Sequence, residues 1–225
     1  MLFNVKNTTF CGLLDLFCPF ICRGCGRLGQ VFCGCCKNDT TMNIFNFCPR
    51  CHKPIRLYCD DCKLPFLATF ACGWRDGMIG QLAKEYKYGS VMALADVLAG
   101  FLDSALPFFA DEIIVVPLPT IARHIRERGF DHMELICQKL ARKRGWRYQK
   151  VLDRVNNTVQ VGASKEERQR QAMLAYKVNQ IIESSATYLL VDDVWTTGSS
   201  MIAAEKILKT AGAQRIVAAV LTVSG

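Results

Sequence analysis

Twelve residues near the C-terminus hold the densest chemistry in the chain: Leu189-Leu190-Val191-Asp192-Asp193-Val194-Trp195-Thr196-Thr197-Gly198-Ser199-Ser200. An apolar run that reads as a strand ends in two adjacent carboxylates, and a small polar loop then opens a helix. Ligands of open α/β sheets bind at the carboxyl ends of the strands, so Asp192 and Asp193 stand where a ligand is expected. Gly198 allows close backbone approach, Thr196, Thr197, Ser199 and Ser200 offer hydroxyls, and the helix start offers free N–H groups and a positive dipole. Acids one loop-length before a phosphate cradle suit sugar hydroxyls better than the phosphate itself. The order therefore fits a sugar 5-phosphate. Taken singly, the same residues could be a turn and a helix cap.

The second chemical signature is cysteine. Twelve of the thirteen cysteines fall between Cys11 and Cys72, and only Cys137 comes later. Four CxxC pairs stand out: Cys22/Cys25, Cys33/Cys36, Cys48/Cys51 and Cys59/Cys62. Two thiolates at this spacing can grip one tetrahedral Zn²⁺ across a tight turn, and two pairs complete its shell. Sequential pairing closes the shortest loops, giving two structural zinc ions, with Cys35 an alternative to Cys36 and His52 a possible substitute ligand. Cys11, Cys18, Cys72 and Cys137 read as packing residues.

Such cysteine density means disulfides in an oxidising compartment or metal in a reducing one. The apolar stretch from Phe10 to Cys22 is broken by Asp15 and Pro19 and makes a poor signal peptide. No run approaches the roughly 20 apolar residues of a membrane span. The expectation is a cytoplasmic protein with reduced thiols and no membrane insertion. The formal charge of +8 falls to about +4 once two zinc–tetrathiolate sites are counted. The basic excess sits between Thr120 and Arg170, with thirteen Lys/Arg against six Asp/Glu.

The elements that must position these groups are legible from periodicity. Residues 77–88 and 91–105 have helical apolar faces, and Ile113 to Val116 is a short apolar run typical of a strand buried on both faces. Asp131 and Glu134 have capping-box spacing at the head of a helix to Arg144, with Gly145 suited to its C-cap. Strands are expected at Trp146–Leu152, Tyr188–Val191 and Ile216–Val223, and a helix from about Ser200 to Ala211. This alternation argues a parallel α/β sheet over residues 69–225, preceded by a cysteine-rich module over 1–68 made of turns and short strands.

The chain resembles the ComF family, which includes the ComFC proteins. The string from Leu190 to Ser200 is similar to the phosphoribosyl pyrophosphate (PRPP) motif of type I phosphoribosyltransferases. Lys87-Tyr88-Gly89, Val116-Pro117-Leu118-Pro119, Arg126-Glu127-Arg128-Gly129-Phe130-Asp131, and Thr158 with Gln160 follow the ComF pattern in order, as do the cysteine pairs. The resemblance implies a phosphoribosyltransferase-type domain behind a double zinc ribbon. It implies that Asp192 and Asp193 hold the ribose 2- and 3-hydroxyls, that the loop from Thr196 to Ser200 holds the 5-phosphate, and that Mg²⁺ arrives with the pyrophosphate. Arg126 and Arg128 fall in the family's mobile loop, where guanidinium groups suit a departing pyrophosphate, and Lys87 is a further candidate cation.

The resemblance also marks departures. Thr196 stands where some phosphoribosyltransferases carry a carboxylate base, Trp195 is bulky for its position, and Gln171-Ala172-Met173 replaces the family's Asn-Leu-Arg. Two functions remain open from sequence. One is a phosphoribosyltransferase that releases pyrophosphate, linked to competence and DNA uptake. The other is a non-catalytic PRPP-sensing adaptor whose zinc module binds single-stranded DNA or a protein such as a competence helicase. Lys139, Arg142, Lys143, Arg144, Arg147 and Lys150 form an expected basic patch for single-stranded DNA.

Overall fold

The computed structural model describes residues 20–89, 91–155 and 175–225. Cys11, Cys18, Thr158, Gln160 and the Gln171–Met173 segment lie outside the described residues.

Among its described residues the zinc-module region contains one helix, α1 (Gly34–Met42), and otherwise tight turns and isolated bridges at Ile21/Leu28 and Phe47/Pro54. The sequence reading had expected only turns and short strands there. Next come β1 (Thr69–Trp74), α2 (Met78–Tyr88), α3 (Leu94–Ala105) and β2 (Ile113–Pro117). The chain continues through α4 (Ala122–Arg128), α5 (His132–Arg144), β3 (Arg147–Tyr148), β4 (Leu152–Arg154) and β5 (Tyr176–Val178). It ends with β6 (Thr187–Trp195), α6 (Ser199–Thr210) and β7 (Arg215–Val223).

Five strands form one parallel sheet in the order β1-β7-β6-β2-β3. Strand alternation divides its side chains between two cores. Leu189, Val191, Val115 and Ala219 pack with α2, α3 and α5, whereas Tyr188, Leu190, Ile114 and Val220 pack with α6. Burial on both faces explains the uninterrupted apolar runs of β2 and β6. Each fully buried Leu, Ile or Val contributes roughly 1.5–3 kcal/mol, so the sheet is the main store of stability. The parallel α/β sheet behind a small cysteine-rich module is the fold class read from the sequence.

Two expectations need correction. The strand expected over Trp146–Leu152 is two short strands in different sheets. Only Arg147 and Tyr148 pair with β2, while Leu152–Arg154 pairs antiparallel with β5. Between them Lys150 is drawn to Glu134, its Nζ 2.9 Å from Oε2, and the chain turns away from the sheet edge. The strand expected over Tyr188–Val191 runs on to Trp195. β7 lies beside it over that whole length, pairing Asp192 with Val220 and Trp195 with Val223. The two carboxylates are thus inside the strand, not in the turn that follows it.

The module docks on both sides of the sheet. Phe32 meets Phe101 of α3 edge-to-face at 6.0 Å, and Phe47 stacks on Trp74 at 4.7 Å. Backbone bonds from Leu67 N to Ile216 O (2.9 Å) and from Thr69 N to Leu57 O (2.9 Å) tie the connecting segment to the sheet.

Candidate functional site

β6 delivers Asp192 and Asp193 to the C-terminal end of the sheet. Because successive strand residues point to opposite faces, the two carboxylates belong to different neighbourhoods. Asp193 follows Val191 toward α2 and α5, and there it forms an ion pair with Lys87 from the last turn of α2. His132, the first residue of α5, places Nε2 3.8 Å from Asp193 Oδ2. Its Nδ1 lies 3.1 Å from a guanidinium nitrogen of Arg128, whose guanidinium also sits 5.2 Å from the centre of the Tyr88 ring. The Asp193 carbonyl accepts a hydrogen bond from Thr222 Oγ1 at 3.1 Å, which fixes the backbone beneath the side chain.

Asp192 follows Leu190 to the other face. Its Oδ1 accepts a hydrogen bond from Asp193 N at 2.8 Å. Burial pushes its carboxyl up to about 7, with Lys87 and Arg154 opposing that shift. Arg154, at the end of β4, lies 5.5 Å from the Tyr176 ring centre and donates to the Tyr176 hydroxyl at 3.3 Å. That phenol also bonds the Ser200 side chain at the start of α6. The β4–β5 strand pair is therefore pinned beside the helix start.

The loop between β6 and α6 has the form an anion cradle needs. Gly198 is the N-cap of α6 at φ 74 and has no cap side chain of its own, and the Thr197 hydroxyl accepts from Ser199 N at 3.4 Å. Thr196, Thr197, Ser199 and Ser200 are exposed, and Thr197 Oγ1 lies 2.8 Å from Ser199 Oγ. Trp195, out of place in a purely sequence-level comparison, is buried under the loop and meets Phe66 edge-to-face at 6.2 Å. It forms the floor of the loop.

Of the residues singled out from the sequence, Lys87, Arg128 and Asp193 come together in one cluster, and Asp192 is near Tyr176, whose hydroxyl bonds Ser200 of the loop. Arg126 is exposed and has no ion-pair or hydrogen-bond partner among the described residues. Both arginines lie on the helix α4, which Gly129 ends at φ 80, where a loop was expected. His132, Arg154 and Tyr176 escaped the sequence reading. His132 had a signal in its place directly after the capping Asp131, which accepts from Met133 N and Glu134 N. Arg154 and Tyr176 had none, because they meet only through the fold.

The expected basic patch is largely neutralised. Lys139 pairs with Asp96 at 2.7 Å, Arg147 with Glu112 and Glu183 at 2.7 and 2.6 Å, and Lys150 with Glu134. Arg144 pairs with Asp103 and also donates to the carbonyls of Leu106 (2.8 Å) and Pro107 (3.0 Å), closing the end of α3. Only Arg142 and Lys143 remain exposed without a carboxylate partner among the described residues.

The cysteines fall into two groups, Cys22/Cys25/Cys33/Cys36 and Cys48/Cys51/Cys59/Cys62, each with its sulfurs within 4.8 Å of one another. Sulfurs of a tetrahedral zinc thiolate, with bonds near 2.3 Å, are separated by roughly 3.8 Å. The Cys25–Cys33 and Cys51–Cys59 separations are 3.7 and 3.5 Å. Knuckle turns frame each group, with Gly26 N bonded to Cys22 O and His52 N to Cys48 O, both at 2.9 Å. The donor sets fit two structural zinc ions in the sequential pairing. Cys35 and His52 stand outside both groups, and His52 instead packs edge-to-face on Trp74 at 4.8 Å. Cys72 and Cys137 are buried in the core.

No protein-family profile matches the chain. It is 25% identical over 197 residues to the competence protein ComFC of Streptococcus pneumoniae, covering 82% of this chain and 84% of that one. The resemblance to the ComF family drawn from the motifs is met by this relative across most of both lengths. Among solved structures, an allosteric regulatory enzyme of purine biosynthesis aligns at 18% identity and TM-score 0.44, over 61% of this chain and 30% of that one. A hypoxanthine phosphoribosyltransferase from Staphylococcus aureus aligns at 8% identity and TM-score 0.33, over 58% and 62% of the two chains. Among the described residues no helix is long and apolar enough to cross a membrane.

Proposed function

We propose that the chain binds PRPP at the C-terminal end of its sheet, with Mg²⁺ carried in by the ligand's pyrophosphate. The observation behind this reading is that the Asp192–Asp193 pair lies near the end of its strand, one short, glycine-opened, hydroxyl-rich loop before the start of α6. Asp192 and Asp193 accept the ribose hydroxyls, the backbone N–H groups and hydroxyls of residues 196–200 hold the 5-phosphate, and Lys87 and Arg128 face the pyrophosphate. The similarity to a competence protein supports a role linked to competence and DNA uptake.

Displacement of pyrophosphate from the ribose C1 depends mainly on positioning and charge stabilisation, both of which these residues can supply. A general base is a separate need, and Thr196 offers none. That residue favours a protein that senses PRPP over one that transfers its ribose. Calorimetry with PRPP and Mg²⁺ tests binding, and loss of the heat signal in a protein with both Asp192→Asn and Asp193→Asn tests the ribose assignment. Measuring pyrophosphate release with candidate acceptors separates transfer from sensing.

A further inference from the structure

We propose that His132 is a positioning residue that takes over Asp193 when the pyrophosphate of the ligand draws Lys87 away, an inference that rests on the PRPP reading above. His132 is 5% exposed and anchored at its backbone, where the Tyr86 hydroxyl donates to its carbonyl at 3.1 Å. A guanidinium can only donate, so the Arg128 contact makes Nδ1 an acceptor and leaves the ring proton on Nε2. Burial and the positive charges of Lys87, Arg128 and His124 keep the ring neutral, with its pKa pushed down to about 3.

The Nε2–H then faces Asp193 Oδ2 at 3.8 Å but has no hydrogen-bond partner among the described residues. Lys87 occupies that same oxygen as an ion pair. The free site therefore sets two donors against one acceptor atom, the lysine as its ion-pair partner and the imidazole as a neighbour not yet hydrogen-bonded to it. A polyanionic ligand competes for Lys87, whose ammonium is carried on a flexible four-carbon stem. A buried carboxylate left without its partner is costly, and a second donor already aimed at it removes much of that cost. Closing 3.8 Å to an ordinary N–H···O distance takes a shift of about 0.8 Å. His132 then holds Asp193 ionised and oriented toward the sugar without itself touching the ligand.

Three measurements on the full, zinc-loaded chain decide this. Nitrogen NMR of the free protein should show His132 neutral with its proton on Nε2, and magnesium pyrophosphate should move that proton downfield. His132→Leu should cost the free protein little thermal stability, because the Nε2 donor it removes has no partner and the Arg128 guanidinium released from Nδ1 is only half-buried and can turn to water. It should nevertheless weaken PRPP binding about tenfold, while His132→Gln, which restores an N–H donor, should recover most of that loss. A proton on Nδ1, or PRPP affinity in His132→Leu equal to that of the unaltered protein, overturns the inference and leaves the PRPP site standing. Equal loss of stability and affinity in the Leu and Gln variants also overturns it, by showing a merely structural role. Failure of the unaltered protein to bind PRPP overturns the site itself and the inference with it.

Discussion

Trp195 lies directly beneath Gly198, so close that a single methyl group at position 198 would overlap the indole ring. Gly198 also sits at φ 74, a conformation that costs other residues roughly 1–2 kcal/mol. The loop conformation therefore depends on the pair: the indole fixes the height of the loop, and the glycine lets the loop rest on it. Gly198→Ala should lose at least about 2 kcal/mol of stability from strain and overlap together. It should also abolish phosphate binding, measured by chemical unfolding and by calorimetry. Trp195→Leu should lose a comparable amount through the cavity it leaves, yet retain weak binding because the backbone conformation at 198 stays accessible.

Asp192 gives a pH-dependent prediction of known sign. Its carboxyl is raised by burial to about 7, above the ordinary value of 3.8. Between those values the folded state holds more protons than the unfolded state, so this residue makes stability fall as pH rises from about 4 to 7. Asp192→Asn should therefore stabilise the protein at pH 7.5 and have no such effect at pH 4. A shift of this size in a fully dry site would correspond to about 4 kcal/mol. The side chain is half-buried, so a gain on the order of 1–2 kcal/mol is expected. Denaturant titrations at the two pH values check this, and the same variant should bind PRPP more weakly.

The two cysteine groups make independent stoichiometric predictions. Metal analysis of protein purified without chelator should return two zinc ions per chain. Cys36→Ser and Cys62→Ser should each lower that number to one, whereas Cys35→Ser should leave it at two, since Cys35 lies outside both groups. Strong chelation should unfold the module, because zinc binding and folding are coupled in units of this size. Gly24 supplies a further check: a Cβ there would stand 2.7 Å from Cys36 Sγ, so Gly24→Ala should weaken the first zinc site alone.

The parts of this structure that follow from local pattern were legible in the sequence. The buried run Ile113–Val116, the capped helix beginning after Asp131, and the CxxC spacing each declare themselves within a dozen residues. Sequential pairing of the cysteines was also legible, because closing short loops costs the chain less entropy. The extension of β6 through Asp192 and Asp193 was not. Two adjacent acids are poor strand formers, and only the neighbouring β7 holds them in the sheet. The meeting of Asp192 with Arg154 and of Ser200 with Tyr176 depends on two paired strands that are far apart in sequence. The charge map misled for the same reason: the carboxylates that neutralise Lys139, Arg144 and Arg147 come from positions 35 to 43 residues away.

Arg144 and its neighbours separate a structural cation from a solvent-facing one. The Arg144 guanidinium satisfies carbonyls at the end of α3 that have no partner within the helix, and it pairs with Asp103. Arg144→Gln should therefore destabilise the protein by about 1–3 kcal/mol, since several partly buried acceptors lose a charged donor together. Replacing both Arg142 and Lys143 by Gln should change stability by no more than about 0.5 kcal/mol, as expected for exposed side chains. The same comparison addresses nucleic acid. With two exposed cations in place of the six in the expected patch, single-stranded DNA binding on this face should show a salt slope no steeper than about −1.4 in log K against log salt. Fluorescence titrations with an oligonucleotide at several salt concentrations give that slope directly. A slope several times steeper would place the DNA contacts on another surface, and its persistence in the Arg142→Gln, Lys143→Gln protein would identify them as lying away from α5.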